Sequence, residues 1–495
     1  MFGFRKCISK KFGKALHGFV TLLSSASIIV TSVSSSYAQQ IIVDPSAPGT
    51  SFLSTRNGTP QVNIATPQRG VSLNQFETFN VDQNGLVLNN STTSGVSVIG
   101  QNVTANPNLM VSGPARTIVN EVTSAAPSTL TGTTEVFGQS AAVIIANPNG
   151  ISCNGCAFLN STSSTLTTGR PTIKGSRVGL QVSEGTVTIG PDGFQAGQQA
   201  GVFGRHVIVD GPISTDGQSV SNSLVVSGGA QRVNRIDFNR LYRSKIVAAP
   251  STVAKTSPFA IDASENGTLT GGQTYLRGME TGQGVNLYGD IDGRVVHVRS
   301  RGDLFYKNVD AGFWATFNGR DVRQYGDVKA TRNINIRGNS FTLYDGRKIL
   351  TGIPGEDRFI DRKGRLHGQV KITASDFAVI AGEVSGEEIH VNVTNGSLTN
   401  TGFLMADGEL TILADDTFSQ QRQIAREYDI YFDPALQQYL QAYYAQLVAG
   451  GPEADIAAEM IARASRHEIV AEYIDRGATT TGTNVTITAT DGDIS

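Results

Sequence analysis

Short runs of Val, Ile, Leu, Thr and Asn, each closed by turn residues, recur through most of this 495-residue chain and limit what it can fold into. Residues 61–65 (QVNIA), 85–89 (GLVLN) and 141–146 (AAVIIA) are early examples, and 186–189, 207–210 and 223–230 continue the pattern. Between positions 41 and 166 no window sustains the 3.6-residue apolar period of a helix, so the chain reads as strand after strand. Such a chain folds as a sandwich, a barrel or a solenoid. Length favours the solenoid, because neither alternative naturally reaches this size as one unit.

A weak repeat from about Ala260 onward points the same way. Gly-Asp followed by an aliphatic residue recurs at Gly289-Asp290-Ile291, Gly302-Asp303-Leu304, Gly326-Asp327-Val328 and Gly492-Asp493-Ile494. Alternating strands lie between the copies, among them Asn333-Ile334-Asn335-Ile336 and Val370-Lys371-Ile372-Thr373. The expectation is an all-β, right-handed parallel β-helix. Each turn pairs its backbone with the turns above and below, stacks aliphatic residues inside and places Asn, Ser and Thr at the corners. About 400 residues at roughly 22 per turn predict about 18 turns and a rod of about 85 Å.

Residues 419–477 depart from the pattern. Residues 420–427 and 435–448 read as helices, the second with Leu436, Tyr439, Leu440, Tyr443 and Leu447 on one face. Gly450-Gly451-Pro452 ends it, and 452–474 reads as another, with Ile456, Met460, Ile461, Ile469 and Ile474 apolar. A helical hairpin inserted near the C-terminus of the solenoid is therefore expected. Strand patterning resumes at 484–489, and 478–495 reads as the start of a further turn, as in a truncated member of a longer family.

The N-terminus has a separate character. Arg5, Lys6, Lys10, Lys11 and Lys14 precede an apolar stretch over 18–33, and Ser36-Tyr37-Ala38 supplies small residues for cleavage. Residues 1–38 thus read as a secretory signal peptide. Its removal shifts the formal net charge from −2 to −7, which argues against a nucleic-acid partner.

Within the strand-rich region two copies of one turn stand out, Asn106-Pro107-Asn108-Leu109 and Asn147-Pro148-Asn149-Gly150-Ile151. Proline fixes φ at the second position, and the asparagines can bond their own backbone. The flanks are equally specific: VNIATPQRGVSLNQFETFNVDQNGLVLNN at 62–90, FGQSAAVIIANPNGISCNGCAFLNSTSSTLTTGRP at 137–171 and VSGGAQRVN at 226–234. On these stretches, residues 39–245 resemble the N-terminal secretion (haemagglutination activity) domain of two-partner secretion exoproteins. That family includes filamentous haemagglutinin adhesins and contact-dependent growth-inhibition proteins. Residues 246–418 resemble its β-helical shaft more loosely.

The resemblance implies export through a dedicated outer-membrane transporter in a Gram-negative bacterium, with the N-terminal domain as the secretion signal. It implies a secretion role for Asn106, Pro107, Asn108 and Leu109, and for Asn147, Pro148, Asn149, Gly150 and Ile151. An exposed, unpaired strand edge could dock on the transporter by β-augmentation. Host cell surface or matrix is the implied further partner of an adhesin.

Cys153 and Cys156 form a Cys-x-x-Cys pair, and Cys7 falls within the signal. Zinc would need two further ligands, and none is suitably spaced; a redox motif would want a strand–helix context. A small structural disulfide formed in the periplasm is the expected state. Arg301-Gly302-Asp303 spells an integrin-binding tripeptide, but its Gly-Asp belongs to the repeat, which favours a solenoid corner. His467-Glu468 begins like a zinc-protease helix, yet Ala471 stands where the second histidine would. No metal or other cofactor is expected, and no catalytic constellation emerges. A secreted adhesin is the leading reading, with the stalk of a contact-dependent inhibition toxin as the alternative. A β-helical polysaccharide lyase is disfavoured by its dispersed carboxylates.

Overall fold

The computed structural model describes residues 41–47, 51–54, 58–99, 102–352 and 368–420, with short strands at 423–427, 472–476, 479–481 and 484–489 and position 494. The signal peptide expected at 1–38 lies outside the described residues.

Three ladders of parallel strands wind around one apolar interior. The first begins at Pro60–Asn63 and the third at Ser128–Leu130. The second begins at Val71–Phe79 and is the easiest to follow. It passes through Thr117–Val122, Ala141–Ala146, Ser161–Thr167, Gln199–Gly204 and Ser223–Gly228. It then climbs through 273–278, 295–299, 314–318, 333–337 and 369–374 to Glu388–Val393, Glu409–Ala414 and Asn484–Ala489.

The register explains the alternation in the sequence. Ile334, Val370, Ile389 and Leu410 stack inward on successive turns, and so do Ile336, Ile372, Val391 and Ile412, all at 0–1% exposure. Their neighbours Asn335, Lys371 and His390 point outward, as period-two strands require. Each such aliphatic side chain contributes about 1.5–3 kcal/mol on burial. One interior polar group is well paired: Tyr306 stacks on Phe317 at 4.2 Å and donates its hydroxyl to Gln324 at 3.2 Å.

Regular turns in the later part of the shaft bring residues 19 apart into contact. The Gly-Asp repeat marks their corners. A Cβ on Gly289, Gly302 or Gly326 would collide with backbone of the preceding turn at Gly267, Gln283 and Lys307, so only glycine fits. Each aspartate accepts from the next turn: Asp290 from Asn308, Asp303 from Arg320, and Asp327 from the Lys348 amide. The Asp303 carboxylate is held bidentately by Arg320 at 2.8 and 2.9 Å, so the Arg-Gly-Asp tripeptide is a structural corner.

The first turns carry additions. Ile41–Val43 pairs antiparallel with Val71–Phe79, and Ser51–Ser54 pairs antiparallel with Pro60–Asn63, closing the N-terminal end of the helix. A four-stranded antiparallel sheet covers the outer side of the second ladder. Its strands, in spatial order, are Arg170–Lys174, Arg177–Val182, Gln231–Arg235 and Lys245–Ala248. Val178, Leu180, Val182 and Val233 of that sheet pack on Val71, Val119, Ile144, Phe203 and Val225 to form a second core.

Two expectations need correction. The second ladder holds 14 strands among the described residues, about 60 Å at the parallel-strand spacing. The expected 18 turns counted all of about 400 residues outside the signal and the expected helices as solenoid, whereas the covering sheet and long corners consume chain without adding height. Among the described residues the expected helical hairpin is not found either. Gln423–Glu427, expected as helix, is a strand paired antiparallel with Glu472–Arg476, where the end of the last expected helix would fall. An eight-residue segment is too short to hold a helix without tertiary support, whereas an antiparallel partner satisfies its backbone directly. The expected helix at 435–448 lies outside the described residues, as do most of 452–474 and His467.

Candidate functional site

The two Asn-Pro-Asn turns adopt the same construction at two corners of the first turns. Asn106 is fully buried and caps a one-turn 3-10 helix, Pro107–Leu109. Its side-chain oxygen accepts from the Asn108 amide at 3.0 Å, an Asx turn. Its side-chain NH2 donates to the carbonyls of Asn89 at 2.9 Å and Ile64 at 3.1 Å. Asn108 adds a second donor to the Ile64 carbonyl at 3.0 Å. Leu109 then drops into the interior, and Pro107 stays exposed.

Asn147 repeats each step. Its oxygen accepts from the Asn149 amide at 3.0 Å, and its NH2 donates to the Ala126 carbonyl and Ser128 Oγ, both at 2.9 Å. Asn149 reaches the Ser124 carbonyl at 2.7 Å. Gly150 leaves the turn at φ 121°, a region closed to most side chains, and its carbonyl accepts from Ser128. Ile151 is buried and pairs with Ser128 on one side and Val187 on the other.

The shared feature is direction. In both corners the first asparagine binds backbone of chain already laid down, 42 residues earlier at Ile64 and 21 earlier at Ala126. Neither motif offers an open strand edge, because Ile151–Cys153 is paired on both sides. The covering sheet does have free edges, at Arg170–Lys174 and Lys245–Ala248. Both carry cations, and the first contains Pro171, features that blunt indiscriminate pairing.

Supporting groups around these corners were not singled out in the sequence. Asn90 donates to the carbonyls of Ala115 and Gln139 and accepts from the Ala115 amide, and Asn89 binds the Asn63 side chain at 2.7 Å. The pair Asn89-Asn90 ending an apolar strand is the local signal for them. Asp44, beyond the N-terminal cap strand, accepts from Ser46 and from Thr123 Oγ1 at 2.7 Å. Those hydrogen bonds, Ser46 first, hold its carboxyl below the ordinary range.

Cys153 and Cys156 are joined as a disulfide at the corner following the second motif, with both sulfurs buried. Among the described residues no group of three His, Cys, Asp or Glu side chains could hold a metal, and no helix is long and apolar enough to cross a membrane.

Comparison with known proteins bears on these corners. A family model for the TPS (two-partner secretion) secretion domain matches residues 39–305. The chain is similar to filamentous hemagglutinin of Bordetella pertussis, 41% identical over 260 residues that make up 52% of this chain and 7% of that protein. It is also similar to a 16S rRNA endonuclease CdiA of Enterobacter cloacae, 34% identical over 431 residues, 84% of this chain and 12% of the relative. The chain therefore spans only a small part of these relatives. The crystal structure of a filamentous hemagglutinin secretion domain matches with a TM-score of 0.52 at 33% identity, covering 63% of this chain and 97% of that domain.

Proposed function

Because the chain belongs to the two-partner secretion family, we propose that its asparagine corners are an export address which is legible only while the chain is unfolded. Exoproteins of this family pass through the periplasm of Gram-negative bacteria to the cell surface or the extracellular space, and the domain implies an outer-membrane transporter as partner. Within that frame we assign residues 1–38 to the signal peptide, 39–245 to the secretion domain and 246–418 to the shaft, wound right-handed. Residues 419–477 are an insertion, and 478–495 begin a further turn.

One observation carries the reading. Asn106 and Asn147 are fully buried and bind carbonyls of earlier chain, so each corner closes only on a turn that already exists. A transporter would meet Asn106 to Leu109 and Asn147 to Ile151 before closure. Once outside, each completed turn offers its edge to the next, while the antiparallel cap at Ile41–Val43 blocks growth the other way. Folding then proceeds from the N-terminal end and draws the chain outward. No enzymatic role is proposed for this segment.

The adhesive role of the whole protein is likewise part of the proposal, with host surface or matrix as the target. The alternative, a toxin-delivery stalk, draws on the CdiA relative, whose match covers more of this chain than the hemagglutinin match does. Growth competition against neighbouring cells separates the two. The export reading is tested by an Asn147→Ala, Asn149→Ala double variant expressed beside the cognate transporter. Accumulation in the periplasm is expected, and secretion at the unaltered rate would overturn it.

A further inference from the structure

Among the described residues, nothing covers the outer side of the second ladder beyond the covering sheet, and that side forms a groove along the shaft. Two adjoining concavities of about 450 and 550 Å³ meet at Asn318. One wall at the N-terminal end is the sheet's edge strand, Lys245–Ala248. The register sets the groove's chemistry. Arg277, Arg299, Asn318, Arg337, Thr373 and Asn392 stand directly above one another on successive turns. Beside that row, His297, Thr316, Asn335 and Lys371 form a second.

Charge is the unusual part. Among the described residues no carboxylate lines either concavity, and Arg299, Arg337 and Lys371 are exposed and in no ion pair. Arg277 and Arg299 are immediate neighbours across the ladder, an arrangement that costs stability when no anion lies between. Arg277 is pinned there: its guanidinium lies 5.4 Å from the Tyr275 ring centre and donates to the Tyr242 carbonyl at 3.3 Å. This cationic row persists in a chain whose formal net charge is −2 in full.

We propose that this groove binds an extended, carboxylate-bearing polysaccharide, a uronate polymer. Spacing and chemistry both select that class. Turns repeat at about 4.8 Å, close to the length of one extended pyranose, and the groove's cations fall one or two turns apart. A polymer with one carboxylate on each sugar or every second sugar therefore meets them in register. Between the cations, the amides of Asn318, Asn335 and Asn392 and the hydroxyls of Thr316 and Thr373 suit vicinal sugar hydroxyls, which donate and accept together. A polyphosphate such as nucleic acid fits less well, because its denser charge meets the acidic remainder of the chain.

This deepens the proposed adhesive role by naming a ligand class, but its test is independent of export. Purified secreted protein is titrated with a fluorescently labelled oligogalacturonate, with the same oligosaccharide methyl-esterified, and with single-stranded DNA of similar length. The free-acid glycan is expected to bind, with affinity falling as salt rises. Arg299→Gln with Arg337→Gln should weaken it at least tenfold. Arg232→Gln, an exposed change on the covering sheet, should leave binding unchanged, and circular dichroism verifies that each variant is folded. The proposal is overturned if no glycan binds, if the ester binds equally well, if the double variant is unaffected or if DNA binds more tightly.

Discussion

The side-chain NH2 of Asn106 lies 3.1 Å from the carbonyl of Ile64, and this bond ties a corner to a turn 42 residues earlier in the chain. Asn108 donates to the same carbonyl from a half-exposed position, so the two asparagines of one motif are unequal. Asn106→Ala leaves the Asn89 carbonyl and the Asn108 amide without their partner inside the fold, and should cost about 2–4 kcal/mol. Asn106→Asp should cost more, since a carboxylate would face carbonyl oxygens. Asn108→Ala should cost about 1 kcal/mol, because Asn106 still satisfies Ile64. Guanidinium unfolding of the three variants tests that ranking, and equal losses at both positions would refute it.

Arg205 anchors the covering sheet to the shaft. Its Nε lies 2.8 Å from Glu280 Oε2, and its remaining donors reach Ser183, Ser251 and Val253, with both charged side chains largely buried. Glu280 also accepts from the Ala230 amide at 3.1 Å. Glu280→Ala strands a guanidinium away from water and should destabilise by about 3–5 kcal/mol. Arg205→Met combined with Glu280→Leu should recover only part of that, since the Ser183 and Val253 carbonyls lose their donor. A double-mutant cycle measures both, and additive losses would contradict coupling.

These two sites show why some of the molecule was legible in sequence and some was not. Asn333-Ile334-Asn335-Ile336 and its relatives announce inward stacks because the period of two survives in every turn. The Gly-Asp corners are legible because a backbone collision and a carboxylate bond recur together. The covering sheet uses the same alternation, so pattern alone cannot tell a strand paired with the turn below from one paired with its hairpin neighbour. The local clue was Gly175-Ser176, a two-residue turn between Lys174 and Arg177 with Gly175 at φ 64°. Gln423–Glu427 failed in the other direction: its composition suits a helix, and only a partner distant in sequence, Glu472–Arg476, makes it a strand. The inter-turn bonds of Asn106 and Asn147 depend on which carbonyl lies beneath them, which only the winding determines.

Cys153 and Cys156 close a loop with a sequence separation of 3, so their bond removes little freedom from the unfolded chain. Chain-entropy scaling gives about 2 kcal/mol for so short a loop. Cys153→Ser with Cys156→Ser should therefore secrete and fold, with a modestly lower unfolding midpoint. Loss of folded protein in that variant would assign the bond a larger role.

His206 and His297 give the shaft a dependence on pH. Burial pushes both imidazoles below the ordinary 6.5, opposed at His206 by Asp262 and reinforced at His297 by Arg277. Geometry at His297 agrees, since the Trp314 indole N–H donates to its Nε2 at 3.4 Å and a protonated ring has no lone pair to offer. The unfolded chain therefore binds protons that the native state excludes, and stability rises with pH. This contribution is complete above 6.5 and is lost as pH falls below it toward the depressed native values. Urea midpoints should fall between about pH 7.5 and about pH 5.5, and His206→Gln with His297→Gln should reduce that fall. An unchanged pH dependence in the double variant would show that other groups govern it.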